Sequence, residues 1–115
     1  MGGLIHFDSL KRTADFNRVY KSNKRWHDKA FVLFAVPKRG CSVGFVASKK
    51  IGNAVKRARA KRRLRALFLR MAPMLKDGEY VLVAKPPILD VPFSELEKAF
   101  RRAIKRLDIG NEAMR

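Results

Sequence analysis

Residues 49–76 contain eleven lysines and arginines and no aspartate or glutamate. The rest of the chain is less one-sided, with nine bases against three acids in residues 1–48 and seven against seven in residues 77–115. Any fold for this chain must accommodate this concentration of positive charge, which contributes most of the net charge of +17. Charge this localised indicates a binding face for a polyanion rather than a general contribution to solubility.

The length of 115 residues and a hydrophobic content of 47% predict one domain spanning 1–115, with mobility expected only in residues 1–7 and 111–115. The lone Cys41 excludes an internal disulfide and a cysteine metal cluster, and it fits a reducing cytoplasm. No run approaches the ~18 apolar residues of a membrane span, and residues 1–7 lack the apolar core of a signal peptide. We therefore expect a cytoplasmic protein.

Apolar residues at helical spacing predict three helices. The first spans residues 13–22 and is expected to be capped by Thr13 and stopped by Ser22 and Asn23. The second follows the cap Asn53 and runs to about residue 75. The third opens on a predicted capping box, Ser94-Glu95-Leu96-Glu97.

Runs of β-prone residues between turn signals predict the strands. Two antiparallel strands are expected at 30–36 and 42–47, joined by a basic turn, and a buried strand at 80–84 ends before Pro86 and Pro87. With one possible further short strand between residue 47 and the second helix, the order is αβββαβα. This order predicts the α+β class, with helices packed on a single sheet.

The second helix breaks local rules of helix stability. Cations at i, i+4 spacing become neighbours, at a cost of ~0.2–0.5 kcal/mol per pair, in the pairs Arg57 with Lys61, Arg59 with Arg63, and Lys61 with Arg65. Cations near the helix N-terminus also oppose the helix dipole. A solubilising face would normally intersperse acids among the bases, so we favour a site for phosphate groups.

The segment Ser48-Lys49-Lys50-Ile51-Gly52-Asn53-Ala54-Val55, followed by Arg57-x-Arg59-x-Lys61-Arg62-x-Leu64-Arg65, resembles the signature of the bacterial ribonuclease P protein component. That family is the protein partner of the ribozyme that removes the 5′ leader from precursor tRNA. The resemblance extends over nearly the whole chain, through Phe16-x-x-Val19-Tyr20, Phe31-Val32-Leu33-Phe34, Gly44-Phe45 and Tyr80-Val81-Leu82-Val83-Ala84. One position departs: Ala58 stands where the family usually has Asn, so an amide able to hydrogen-bond RNA is lost.

The resemblance implies an α/β sandwich similar to one domain of a small-subunit ribosomal protein, with a left-handed βαβ crossover. Periodicity could not have indicated this, because such crossovers are generally right-handed. The resemblance also implies two sites. The surface facing the catalytic RNA and bound substrate would comprise Lys49, Lys50, Asn53, Arg57, Arg59, Lys61, Arg62 and Arg65. A cleft for the single-stranded leader would comprise Phe16, Tyr20 and Phe34.

Spacing alone leaves the aromatic residues of the first helix open to two interpretations. Phe16 and Tyr20 share a helical face and could stack on nucleobases, but from spacing alone a core role is the commoner one. Only the resemblance favours the cleft. We expect Phe68 and Phe100 in the core and His6 and His27 at the surface.

No nucleophile, carboxylate pair or metal-ligand cluster stands out, so we predict no catalytic residue and no cofactor or metal bound by the protein alone. The resemblance implies that the RNA subunit and its Mg²⁺ carry out the chemistry, while the protein binds ribonuclease P RNA and the precursor tRNA leader. The alternative is a ribosomal-type structural RNA-binding protein. A nuclease acting alone and a membrane-surface protein are weaker interpretations, and no obligatory protein partner is indicated.

Overall fold

The computed structural model describes residues 7–22 and 24–111. Within these ranges the elements are β1 Asp8–Ser9, α1 Thr13–Tyr20, β2 Lys24–His27, β3 Phe31–Pro37, β4 Cys41–Val46, α2 Ala54–Met71, β5 Gly78–Ala84 and α3 Phe93–Leu107. Short 3-10 turns lie at Lys49–Ile51, Ala72–Met74 and Pro86–Leu89. Apart from the two-residue β1, the order reads αβββαβα and the predicted α+β class is confirmed, but the short additional strand lies at Lys24–His27, before β3, and not after residue 47 as predicted.

The five strands form one mixed sheet in the order β1-β4-β5-β3-β2. The central strand β5 runs antiparallel to β3 and parallel to β4. Because parallel neighbours need a crossover connection, α2 must return the chain across the sheet between β4 and β5. The left-handed sense of this crossover stays an expectation from the resemblance.

Strand alternation divides the sheet into two faces with different partners. In β3 and β5 the cross-strand pair Leu33 and Leu82 is fully buried and belongs to the main core with α2 and α3. The adjacent pair Phe34 and Val81 points to the other face, where α1 lies. Phe68 and Phe100 are fully buried between the helices and the sheet, as predicted.

The cap of α2 is confirmed, but the expected caps of the other two helices are wrong. Asn53 Oδ1 accepts a hydrogen bond from the Lys56 amide at 2.9 Å. Thr13 is the first residue inside α1, and the residue before it makes no side-chain cap bond. The predicted capping box also fails, because α3 begins at Phe93 and the preceding Pro92 carbonyl accepts the first amide bonds.

Two predicted helix ends are also displaced. The first helix ends at Tyr20, and the Ser22 hydroxyl instead donates to the Ala35 carbonyl of β3 at 2.5 Å. Asn23 lies outside the described residues. Helix α2 ends at Met71 because a 3-10 turn containing Pro73 follows it.

The ends of the described chain make specific contacts. The Phe7 ring meets the Phe68 ring edge-on, with centroids 4.8 Å apart. The Asn111 backbone amide donates to the Met74 carbonyl at 2.8 Å. The mobility expected in residues 1–7 and 111–115 stays a prediction, and residues 1–6, with His6, and 112–115 lie outside the described ranges. His27 is exposed, as predicted.

Helix α1 is tethered to the sheet by a buried carboxylate. Glu79 of β5 is only 3% exposed and accepts two hydrogen bonds from the Arg18 guanidinium, at 2.6 and 3.0 Å. Lys38 approaches the same carboxylate at 3.3 Å, and Asp15 pairs with Arg18 within the helix. Hydrogen bonding from Arg18 is the main cause that lowers the Glu79 pKa below its usual value. Together with the buried Val19, this cluster fixes α1 on its face of the sheet.

We expect Glu79→Gln to lower the free energy of unfolding at neutral pH by on the order of 1 kcal/mol, because charge-assisted hydrogen bonds become neutral ones. Since the folded-state pKa of Glu79 is lowered, its contribution is complete above the unfolded-state pKa and disappears as pH falls through the folded-state value. Urea unfolding of both proteins at neutral and strongly acidic pH measures this. A difference that persists at acidic pH would contradict the assignment to Glu79 ionisation.

Candidate nucleic-acid interface

The loop between β4 and α2 holds Lys49 and Lys50 at the surface. They lie in a single 3-10 turn that the buried Ile51 anchors. Gly52 has a φ of +137°, in the region that favours glycine, and a Cβ there would lie 2.7 Å from Cδ of Lys56. The loop therefore depends on this glycine to turn the chain tightly into α2.

Two of the predicted RNA-binding residues also shape this loop. Asn53 caps α2 with its side-chain oxygen, and Arg57 Nη1 donates to the Gly52 carbonyl at 2.7 Å. A guanidinium carries five donors and an amide side chain two, so these bonds leave further donors of both residues for a ligand. The cap and the loop thus hold both residues in fixed orientations.

A row of cations continues from the loop along one flank of α2. Arg57, Lys61 and Arg65 are spaced at i, i+4 and i+8, and Arg65 lies over the Phe45 ring of β4 at 5.5 Å from the ring centroid. Lys61 and Arg62 are exposed. In the described part of the chain, no carboxylate forms a salt bridge with this set, which we call the basic face: Lys49, Lys50, Asn53, Arg57, Lys61, Arg62 and Arg65.

The opposite flank of α2 carries cations that serve the fold. Arg63 donates to the backbone carbonyls of Leu89 and Val91 at 3.2 and 2.5 Å. Arg70 pairs with Glu97 of α3 at 3.3 Å. Both residues tie α2 to the segment that leads into α3 and to α3 itself.

Arg59 lies on this second flank, and its guanidinium makes a long bond of 3.4 Å to the Leu89 carbonyl. Arg59 is also exposed and lies one helical turn from Arg62 of the basic face, so its assignment to the RNA-binding surface stays a prediction. Sequence periodicity placed Arg59 and Arg63 on a common flank, but it carried no information on the carbonyls that face them.

The three predicted cleft residues come together on the α1 face of the sheet. The ring centroids of Phe16 and Tyr20 are 6.4 Å apart, and those of Tyr20 and Phe34 are 5.1 Å apart in an edge-to-face arrangement. All three side chains are half-buried, whereas Val19 on the same helix is completely buried. The core contact of α1 is therefore made by Val19, and the rings keep accessible surface. Burial raises the Tyr20 pKa.

Gly44 of β4 makes room for the Phe16 ring. A Cβ at Gly44 would lie 2.6 Å from Cζ of Phe16, which is shorter than any stable contact. The Phe16 ring thus rests against bare backbone, and the absence of a side chain at Gly44 sets its depth in the cleft.

Arg25 of β2 is a cation beside the cleft that sequence analysis missed. It pairs directly with Phe34 across β2 and β3, so both side chains project from the same face, and Arg25 is exposed. The signal was weak because the strand Lys24–His27 is short and mostly polar. Recognition of β2 would have placed Arg25 next to Phe34.

The described residues include no group of three or more histidine, cysteine, aspartate or glutamate side chains able to hold a metal ion. Cys41 donates to Asp77, and burial together with this carboxylate raises the Cys41 pKa to about 11. This protonated thiol is a poor nucleophile at neutral pH. Among the helices in the described ranges, none has the length and hydrophobicity to cross a lipid bilayer.

The fold and the two surfaces define a basic, single-domain α+β protein with a cationic helix on one face of its sheet and an aromatic cleft on the other. The sequence profile of the family described as Ribonuclease P matches residues 5–108. The chain belongs to the ribonuclease P protein family.

Individual relatives agree with this assignment. The chain is 42% identical over 99 residues to the ribonuclease P protein component of a Nitratiruptor species, covering 86% of this chain and 91% of that protein. It is 33% identical to that of Shouchella clausii over 104 residues, covering 87% and 85%.

Solved structures share the fold. The RNase P protein of Staphylococcus aureus superposes with a TM-score of 0.76 at 25% identity, covering 92% of this chain and all of that one. That of Thermotoga maritima gives 0.72 at 23% identity, covering 86% and 96%.

Proposed function

We propose that this protein binds the catalytic RNA of ribonuclease P through its basic face and the 5′ leader of precursor tRNA through its aromatic cleft. The observation that carries the proposal is the placement of these two surfaces on α2 and α1, which lie on opposite faces of one sheet. Two RNA segments can therefore contact the protein at the same time. The protein then assists removal of the leader without supplying catalytic groups.

The basic face suits a folded RNA because its cations have no carboxylate partner among the described residues and are held in place by α2 and its loop. Lys61 lies one helical turn from both Arg57 and Arg65, so bound phosphates would relieve repulsion that costs ~0.2–0.5 kcal/mol per pair. The guanidinium of Arg62 is exposed and can bind phosphate with two parallel hydrogen bonds. Its interaction with RNA should weaken with salt because bound phosphates release counterions.

The cleft suits a single strand. Half-buried Phe16, Tyr20 and Phe34 offer ring surface on which nucleobases can stack, at ~1–3 kcal/mol per base. Arg25 beside Phe34 supplies a cation for the backbone of the same strand. Mature tRNA lacks the leader, so the cleft would favour the precursor.

In this proposal the RNA subunit catalyses the cleavage of precursor tRNA. Mg²⁺ would supply a metal-bound nucleophile and stabilise the leaving oxygen, but the described residues of this chain offer it no ligand cluster. The protein's residues instead bind and position the two RNAs. Its cations offset the repulsion between their phosphate backbones.

A ribosomal-type structural RNA-binding protein remains the competing function. It would need a basic face but no cleft for a single strand. The partly exposed rings of Phe16, Tyr20 and Phe34 favour the leader, because rings with a purely structural role are better stabilised by full burial.

Cleavage of a 5′-extended precursor tRNA at near-physiological Mg²⁺ tests the proposal. We expect slow cleavage with bacterial ribonuclease P RNA alone, much faster cleavage when this protein is added, and none with the protein alone. Cleavage by the protein alone would reveal a nuclease site, and a lack of stimulation would favour the ribosomal-type function.

Substitutions of the adjacent residues Arg62 and Arg63 distinguish a role in RNA binding from a role in folding. We expect Arg62→Ala to change the free energy of unfolding by less than about 0.5 kcal/mol but to reduce the salt dependence of RNA binding by about one phosphate contact. Arg63→Ala should lower the free energy of unfolding by about 1–3 kcal/mol, because two backbone carbonyls lose their donor. Urea unfolding and RNA binding across a salt series measure both. An unchanged salt slope for Arg62→Ala would contradict its assignment to the basic face.

The role of the cleft in leader binding can be tested with one substitution on each side of the contact between Phe16 and Gly44. Phe16→Ala removes a stacking surface, and Gly44→Ala displaces the Phe16 ring. Both should weaken binding of precursor tRNA to the holoenzyme by about 5-fold to 100-fold, in line with one stacked base, and leave mature tRNA binding unchanged. Equal losses for precursor and mature tRNA would show that Phe16 is structural.

A further inference from the structure

A cationic groove lies at the β2 edge of the sheet, away from the basic face and the cleft. Its floor and walls are Trp26 of β2 and Arg102, Lys105 and Arg106 of α3, and its volume is about 320 Å³. β1 and β2 form opposite edges of the sheet, and Arg65 of the basic face contacts β4 next to β1. The groove is therefore a separate surface.

The three cations of the groove are available to a ligand. Arg102, Lys105 and Arg106 are exposed, and in the described part of the chain none makes a hydrogen bond or salt bridge to a protein group. Lys24 on the same strand as Trp26 differs, because its ammonium donates to the Leu107 carbonyl at the end of α3 at 2.7 Å. That bond fixes β2 against α3 and leaves the other three charges unneutralised.

Trp26 gives the groove an aromatic surface that a ligand can contact. Its ring is half-buried against the core, so it is held rigidly while part of it lines the groove. Its indole Nε1–H is buried and has no acceptor among the described residues. Because this N–H has almost no accessible surface, a ligand in the groove would contact the exposed part of the Trp26 ring and not the N–H.

We infer that this groove binds single-stranded RNA, with phosphates against Arg102, Lys105 and Arg106 and a nucleobase against Trp26. A rigid aromatic ring among cations is the usual composition of single-strand sites. Two of the three cations are arginines, whose planar forks match phosphate. The inference goes beyond the proposed function, because it places an RNA strand at a third surface. It does not depend on which RNA the basic face binds.

Trp26 provides its own reporter, because the chain contains one tryptophan. We would titrate a short oligouridylate into the full-length protein and follow Trp26 fluorescence, which stacking of a base quenches. Arg102→Gln with Arg106→Gln removes two groove cations at exposed helical positions. Lys98→Gln with Arg101→Gln is the matched control: it removes the same charge from exposed positions of α3 outside the groove.

We expect quenching in the wild type and in the matched control, with roughly tenfold weaker binding and a shallower salt slope in the groove variant. Phe16→Ala should quench normally, which separates the groove from the cleft. Equal weakening in the groove variant and its control, or loss of quenching only in Phe16→Ala, would overturn the inference. Quenching by polyglutamate equal to that by oligouridylate would also overturn the inference, because it would indicate an acidic protein partner.

These outcomes are independent of the proposed function. Failure of the protein to stimulate precursor cleavage would remove that function but would not alter Trp26 quenching. Conversely, a normal holoenzyme whose Trp26 fluorescence ignores oligouridylate would remove the groove alone. If the double variant did not fold, Lys105→Gln would replace it, with Arg101→Gln as its control.

Discussion

Burial of one apolar stripe on α2 is the interaction on which the rest of the structure depends. Leu64, Leu67 and Phe68 are completely buried, and each contributes ~1.5–3 kcal/mol, against the ~0.2–0.5 kcal/mol that a like-charge pair costs. Helix propensity could not hold so charged a segment, since short helices are marginal without tertiary packing. The core fixes the helix, and the helix in turn fixes the cations that surround it.

The side chains of β5 point alternately to the two faces of the sheet, and this explains why the two proposed RNA surfaces do not compete for space. Tyr80 and Leu82 face α2 and α3, whereas Glu79 and Val81 face the α1 side. Since successive side chains of a strand point to opposite faces, a central strand buried on both sides supports both layers. Glu79 then anchors α1 beside the cleft, and Leu82 supports the helices.

Much of this architecture could be predicted from the sequence, and the failures have physical reasons. Periodicity located the three helices and the long strands, and Asn53 was a correct cap. Strand β2 was missed because Lys24–His27 is short and mostly polar, and its formation depends on pairing with β3. Periodicity could not show that Arg63 is structural, because its partners Leu89 and Val91 are distant in sequence. The caps at Thr13 and Ser94 failed because backbone carbonyls of the preceding residues replaced them.

The crossover between β4 and β5 holds the cations of α2 at fixed distances from one another. Two parallel neighbouring strands require a connection that returns over the full height of the sheet, and α2 is that connection. From Ala54 to Arg65 the helix rises about 17 Å, at about 1.5 Å per residue. The spacing between the lysines of the loop and Arg65 is therefore set by the number of helical residues between them. Substitutions can change how strongly this span attracts a polyanion, but only an insertion or deletion within α2 can change its length.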